Sequence, residues 1–103
     1  MHLTILTLTS VLLARATAQH GITAYTGADC GAQSYDVFDS SNCTSVNAQI
    51  NSFLVGHEFS EHCMGLWFEQ QHCEGPAIAG FDAQQRGNCV GLARGLSVQM
   101  YCR

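Results

Sequence analysis

His57-Glu58-Phe59-Ser60-Glu61-His62 brings two imidazoles and two carboxylates into six residues, the densest reactive run in the chain. Imidazole and carboxylate are the groups a hydrolase uses to move protons, and both also bind zinc. The spacing argues against zinc. A zinc-protease helix carries histidines four apart with glutamate directly after the first, so that both rings share one face; here the histidines stand five apart. His57, Glu58 and His62 together with Arg86 offer the base, acid and cation a small secreted hydrolase or nuclease needs, and His72 and Glu74 lie further along. No nucleophile elbow and no paired-carboxylate spacing accompanies them. The run therefore reads as a solvated connector, or as a pH-responsive segment, because histidines beside acids titrate between about pH 5 and 8. The expectation is a non-catalytic chain with no metal site and no cofactor.

The six cysteines carry the second possible chemistry. Successive cysteines are separated by 12, 19, 9, 15 and 12 residues, so none of the close pairs typical of structural zinc sites is present. An even number of cysteines in a small exported chain reads instead as a disulfide framework. Export is expected from the apolar run Leu3 to Leu13, closed by Ala16-Thr17-Ala18, the small-x-small pattern cleaved before Gln19. Residues 1–18 are thus expected to be a signal peptide, and residues 19–103 a single cysteine-rich domain, secreted and extracellular.

Charge narrows the partners. From Gln19 onward there are three arginines, no lysine and eight acids. An acidic chain with scattered arginines does not hold a phosphate backbone by charge, so nucleic acid is not an expected partner. No later apolar run reaches membrane-spanning length, so no membrane span is expected. The absence of lysine also removes ubiquitin acceptors and half of the residues a trypsin-like protease cuts after; it suits entry into foreign cells, and chance in a short chain explains it equally well.

An internal repeat organises the rest. An aromatic followed by four residues and a cysteine occurs at Tyr25…Cys30 and again at Phe68…Cys73. Phe38-Asp39 leads to Asn42-Cys43, and Phe81-Asp82 leads to Asn88-Cys89. Ser52-Phe53-Leu54-Val55 and Ser97-Val98-Gln99-Met100 then close the halves, placed at about 21–55 and 63–102 with a connector at 56–62. Equivalent cysteines should play equivalent roles, which points to Cys30–Cys43 and Cys73–Cys89 and leaves Cys63–Cys102. The two short loops would each stabilise by roughly 3 kcal/mol and the longer one by roughly 4 kcal/mol in the chain-entropy model.

The elements that position these groups read as strands. Leu96, Val98, Met100 and Cys102 alternate with Ser97, Gln99 and Tyr101, and glycine, asparagine, aspartate and serine punctuate the chain at short intervals. Val46, Ile50 and Phe53 would share one face of a helix from Cys43 to Phe53, an alternative that the residues leave open. The expected fold is mostly β, small and disulfide-stabilised.

Phe68-Glu69-Gln70-Gln71-His72-Cys73-Glu74-Gly75 resembles the Greek-key motif of the βγ-crystallin superfamily: an aromatic, an acid, a second aromatic and a glycine. Gly21-Ile22-Thr23-Ala24-Tyr25 is similar to its opening strand, and Ser52 and Ser97 match the serine near the end of each motif. Cysteine stands in place of the second aromatic in both halves, and Ala32 in place of the first glycine. The resemblance covers roughly Gly21 to Cys102 and implies a two-motif Greek-key sandwich. It extends to small disulfide-bonded secreted microbial members, including killer-toxin-like proteins, and to small secreted fungal proteins. Members of the superfamily often bind calcium through paired N/D-N/D-x-x-S/T-S segments; Asn47 to Ser52 keeps the first and last positions only and Leu92 to Ser97 only the serine, a thin supply of oxygens for that ion.

Two smaller features remain. Asn42-Cys43-Thr44 is an N-glycosylation sequon whose middle cysteine, if oxidised early, favours skipping. Among nine aromatics, most of which must form the core, Phe59 lies in the polar connector and Tyr101 on the polar face of its strand, so these two are the expected anchors for a partner. Together the features lead to a secreted, non-catalytic, effector-like fungal virulence protein that binds an extracellular or host protein. A killer-toxin-like antimicrobial against competing microbes is the alternative, opposed by the acidic balance. A small hydrolase and an inhibitor of another organism's hydrolase are further readings.

Overall fold

The computed structural model describes residues 19–38 and 42–103; the expected signal peptide at 1–18 lies outside the described residues. The strands are β1 (Ile22–Tyr25), β2 (Ser34–Val37), β3 (Thr44–Val55), β4 (Cys63–Phe68), β5 (Ala77–Asp82) and β6 (Cys89–Cys102), with single 3-10 turns at Ala28–Cys30, Gln71–Cys73 and Ala83–Gln85. They form one antiparallel sheet in the order β2-β1-β3-β6-β4-β5. Exchanging β1 with β4, β2 with β5 and β3 with β6 leaves that order unchanged when read from the other end. The mostly-β expectation holds.

The segment that could have been a helix is strand. Val46, Ala48 and Ile50 share one face of a strand as readily as Val46 and Ile50 share one of a helix, because a separation of four is even in a period of two. Thr44, Val46, Ile50 and Val55 are β-branched and favour the pleated conformation. The long strands β3 and β6 pair at both ends, Thr44 with Val98 and Leu54 with Cys89, with register shifts between Ser45 and Ser52. At those irregularities the sheet bends.

The bend is visible in the core. β3 and β5 are three places apart in the order, which in a flat sheet is about 14 Å. Yet the rings of Phe53 on β3 and Phe81 on β5 have centroids 5.0 Å apart, and Phe53 also meets Trp67 on β4 at 5.7 Å. The sheet therefore curls over and closes on a core that includes Ile22, Phe53, Val55, Trp67, Phe81, Val98 and Met100. Two glycines allow the closest approaches. A Cβ on Gly65 would collide with the Phe81 ring, and one on Gly95 would come within 2.6 Å of Trp67 Cε3.

The connector closes one end of this core. Gly56 N donates to Gly21 O at 2.8 Å, Glu58 N to Gln19 O at 2.9 Å, and Arg86 Nε to Phe59 O at 2.7 Å. Pinned in this way, Phe59 turns inward, is fully buried and meets Phe81 at 5.6 Å. The expected role of Phe59 as a partner anchor is thus corrected: its polar neighbours stay in water while the one benzyl side chain among them covers the core.

The disulfides also correct the expectation. Cys63 is joined to Cys102, but Cys30 is bonded to Cys89 and Cys43 to Cys73, in place of Cys30–Cys43 and Cys73–Cys89. The reason lies in Ser52 and Ser97. Ser52 Oγ accepts the Cys30 N–H and donates to Gly27 O, holding the first turn against the C-terminal end of β3. That end of β3 lies opposite the start of β6, where Leu54 pairs with Cys89. Cys43 sits at the far end of β3, a strand of 12 residues, which spans up to about 40 Å when extended; a disulfide does not bridge Cα atoms more than about 7 Å apart. Ser97 repeats the pattern: its Oγ accepts the Cys73 N–H and donates to Gln70 O, and it pairs with Ser45 beside Cys43. The observed Cα separations are 6.0 Å for Cys30–Cys89 and 6.1 Å for Cys43–Cys73.

Candidate interaction surface

Outward-facing side chains of β5, β4 and β6 lie in rows set by the strand register. One row runs Asp82–Met64–Tyr101 and the next Gly80–Leu66–Gln99. Met64 is 44% exposed, Tyr101 47% and Ile78, on β5, 37%. In β4, Gly65 and Trp67 are buried, which leaves Met64 and Leu66 for the opposite face. The counterpart of the Gly80–Leu66–Gln99 row in the other half is Asp36–Thr23–Leu54, where Thr23 Oγ1 donates to Asp36 Oδ1 at 3.2 Å. The same backbone frame thus carries a hydroxyl–carboxylate pair in one half where the other has Leu66 beside a glycine.

A groove of about 470 Å³ opens at the end of the apolar rows. Glu61, His62, Met64, Asp82, Tyr101 and Arg103 line it, together with Cys63 and Cys102. The Cys63–Cys102 bond ties β4 to β6 at this point, and Arg103 N donates to His62 O at 2.9 Å, so the groove walls are held covalently and by hydrogen bonding. Chemically it offers an aromatic ring and a thioether to an apolar group, ringed by two carboxylates, the His62 imidazole and the Arg103 guanidinium.

The histidine-rich run is divided rather than gathered. His57 packs its ring near Gly87, where an added Cβ would lie 2.9 Å from His57 Cε1, while His62 lines the groove. Glu58 faces His20 at 3.0 Å with both side chains well exposed. His72 is exposed, and its backbone N–H binds Ser45 Oγ at 2.9 Å. Among the described residues, no group of three or more His, Cys, Asp or Glu is arranged to hold a metal ion. The serines of the two calcium-like segments, Ser52 and Ser97, are fully buried and engaged with backbone. Asn42 is exposed just before β3, and its neighbour Cys43 is in the bond to Cys73.

Of the two expected anchors, Tyr101 stands on the surface and Phe59 does not. Sequence reasoning missed Met64, Leu66 and Ile78. A signal for the first two was present, since the period-two alternation that buries Trp67 turns them to the other face. No helix among the described residues is long and apolar enough to cross a membrane. Three disulfides in a small compact domain are typical of extracellular proteins. Comparison with protein-family models, with curated proteins and with solved structures finds no match.

Proposed function

We propose that this is a secreted, non-catalytic, βγ-crystallin-like protein of two Greek-key motifs that works as a fungal effector, binding a host protein through the outer face of β4, β5 and β6. The Greek-key reading draws support from the long strands: β1 and the start of β6 flank the end of β3, while β4 and the start of β3 flank the end of β6. Each half thereby lends the beginning of its long strand to the other. Secretion rests on the apolar leader at 1–18 and the three disulfides.

The single observation that carries the binding role is the exposed Met64–Tyr101 pair beside a groove walled by Glu61 and Asp82. A partner presenting an apolar side chain to Met64 and Tyr101, with a lysine or arginine directed at Glu61 and Asp82 and away from Arg103, complements it. The test applies purified, disulfide-bonded protein and its Met64→Ala/Tyr101→Ala variant to host tissue. Loss of the host response in the variant, with all three disulfides retained, supports the reading. An undiminished response overturns it, as does growth inhibition of competing microbes that is indifferent to these substitutions.

A further inference from the structure

The chain from Gln19 onward holds no lysine, and its three guanidiniums stay protonated at neutral pH. Once the leader is removed, the α-amine is therefore the one primary amine in the protein. Which residue carries it decides a chemical property of the whole molecule. The expected cut after Ala18 leaves it on Gln19. Gln19 is exposed, and so is His20 after it. The segment is nevertheless held in place. Gln19 O accepts the Glu58 N–H at 2.9 Å, Gly21 O accepts the Gly56 N–H at 2.8 Å, and His20 Nε2 lies 3.0 Å from Glu58 Oε1. These contacts run along the connector that seats Phe59 over the core.

We propose that the mature N-terminus is a pyroglutamate formed from Gln19, and that the secreted protein presents no primary amine. This rests on the leader reading given above and is separate from the β4–β5–β6 surface. An α-amine has an ordinary pKa of about 7.7–8.0, so a share of it is uncharged and nucleophilic at neutral pH. In the reaction that nitrogen attacks Cδ of its own side chain. A new C–N bond closes a five-membered lactam, and the bond from Cδ to Nε2 breaks. The amide nitrogen leaves as ammonia, carrying the proton that the α-nitrogen gives up. Nothing is oxidised or reduced and no co-substrate is consumed. Both reacting groups belong to one residue, so the step is intramolecular and their encounter costs little entropy.

The fold accommodates the change. The hydrogen bond from Glu58 engages the backbone carbonyl of residue 19, an atom the cyclisation leaves untouched, and the reacting amide belongs to an exposed residue and not to the core. What the ring removes is a terminal cation and a nucleophile. An aminopeptidase engages a free α-amine, and acyl transfer, ubiquitin transfer and condensation with carbonyls or quinones each need an amine to attack. The finished chain offers that group to none of them. The missing lysines and the glutamine at residue 19 thus act together: either alone would leave an amine exposed to the enzymes and reactive small molecules outside the producing cell.

The experiment takes the full chain, secreted with its own leader by a fungal expression host, and holds the purified, disulfide-bonded protein at neutral pH until its mass is constant. Tandem mass spectrometry reads the first residue, and an amine-selective acylating reagent counts the amines. The expected product begins at residue 19, is lighter by one ammonia than residues 19–103 with three disulfides, and takes up no acyl group. Gln19→Asn is the matched variant. Its side chain is one methylene shorter and would have to close a strained four-membered ring, so it should keep its amine and take up one acyl group per chain. A wild-type chain that begins at Gln19 and still takes up an acyl group overturns the inference while leaving the leader reading intact. A chain that begins at any other residue overturns both.

Discussion

Cys30, in the turn after β1, is bonded to Cys89 at the head of β6, and the equivalent bond joins Cys73, after β4, to Cys43 just before β3. Each half is therefore bolted to the other, not to itself. The closed separations of 59 and 30 residues are longer than a pairing within each half would give. In the chain-entropy model each bond stabilises by roughly 4 kcal/mol.

A digest that cuts after arginine and glutamate distinguishes the two pairings. It separates residues 19–58, 62–69, 70–74, 87–94 and 95–103. Without reduction, 19–58 is expected to carry both 70–74 and 87–94, and 62–69 to carry 95–103. Recovery of 19–58 alone, with 70–74 joined to 87–94, would mean that the bonds lie within the halves.

Gly65 and Gly91 form a matched pair for a packing test. A methyl on Gly65 meets the Phe81 ring, whereas one on Gly91 meets nothing within 4 Å. Gly65→Ala should destabilise by about 1–3 kcal/mol through overpacking. Gly91→Ala should stay within about 0.5 kcal/mol of the parent. Chemical denaturation with the disulfides intact measures both.

Ser52→Ala and Ser97→Ala should each cost about 1–3 kcal/mol, because each leaves a Cys N–H and a carbonyl without their buried partner. The hydroxyls hold the two turns in which Cys30 and Cys73 adopt positive φ, 57° and 53°. The loss should therefore be accompanied by faster amide exchange in both turns; an unchanged exchange pattern would separate the serines from the turns.

Phe59 and Tyr101 should behave oppositely. Phe59→Ala empties a fully buried site and is expected to destabilise by about 3–5 kcal/mol. Tyr101→Ala is expected to shift stability by less than about 1 kcal/mol while weakening partner binding. Denaturation and binding measured on the same preparations would show it, and a binding loss for Phe59→Ala at unchanged stability would return Phe59 to the surface.

Much of this architecture is legible in residue types. The alternation at Val98 and Met100 marks β6, and both side chains are buried. The matched serines were visible as a repeat, and the structure gives Ser52 and Ser97 the same pair of backbone hydrogen bonds. Phe59 was misread because a lone aromatic among charged neighbours has no period from which burial can be inferred; only the hydrogen bonds to Gly21, Gln19 and Phe59 itself turn it inward.

What the chain determines by itself is local: strand-forming β-branched runs, turn residues, an acidic balance and an even set of cysteines. Tertiary structure decided which cysteines meet and which outer face is apolar. Equivalence between halves allows bonding within each half or between the halves with equal symmetry, and nothing in one half's sequence breaks that tie. The tie is broken by length. β3 and β6 are long enough to carry their starting cysteines away from their own turns and across to those of the other half.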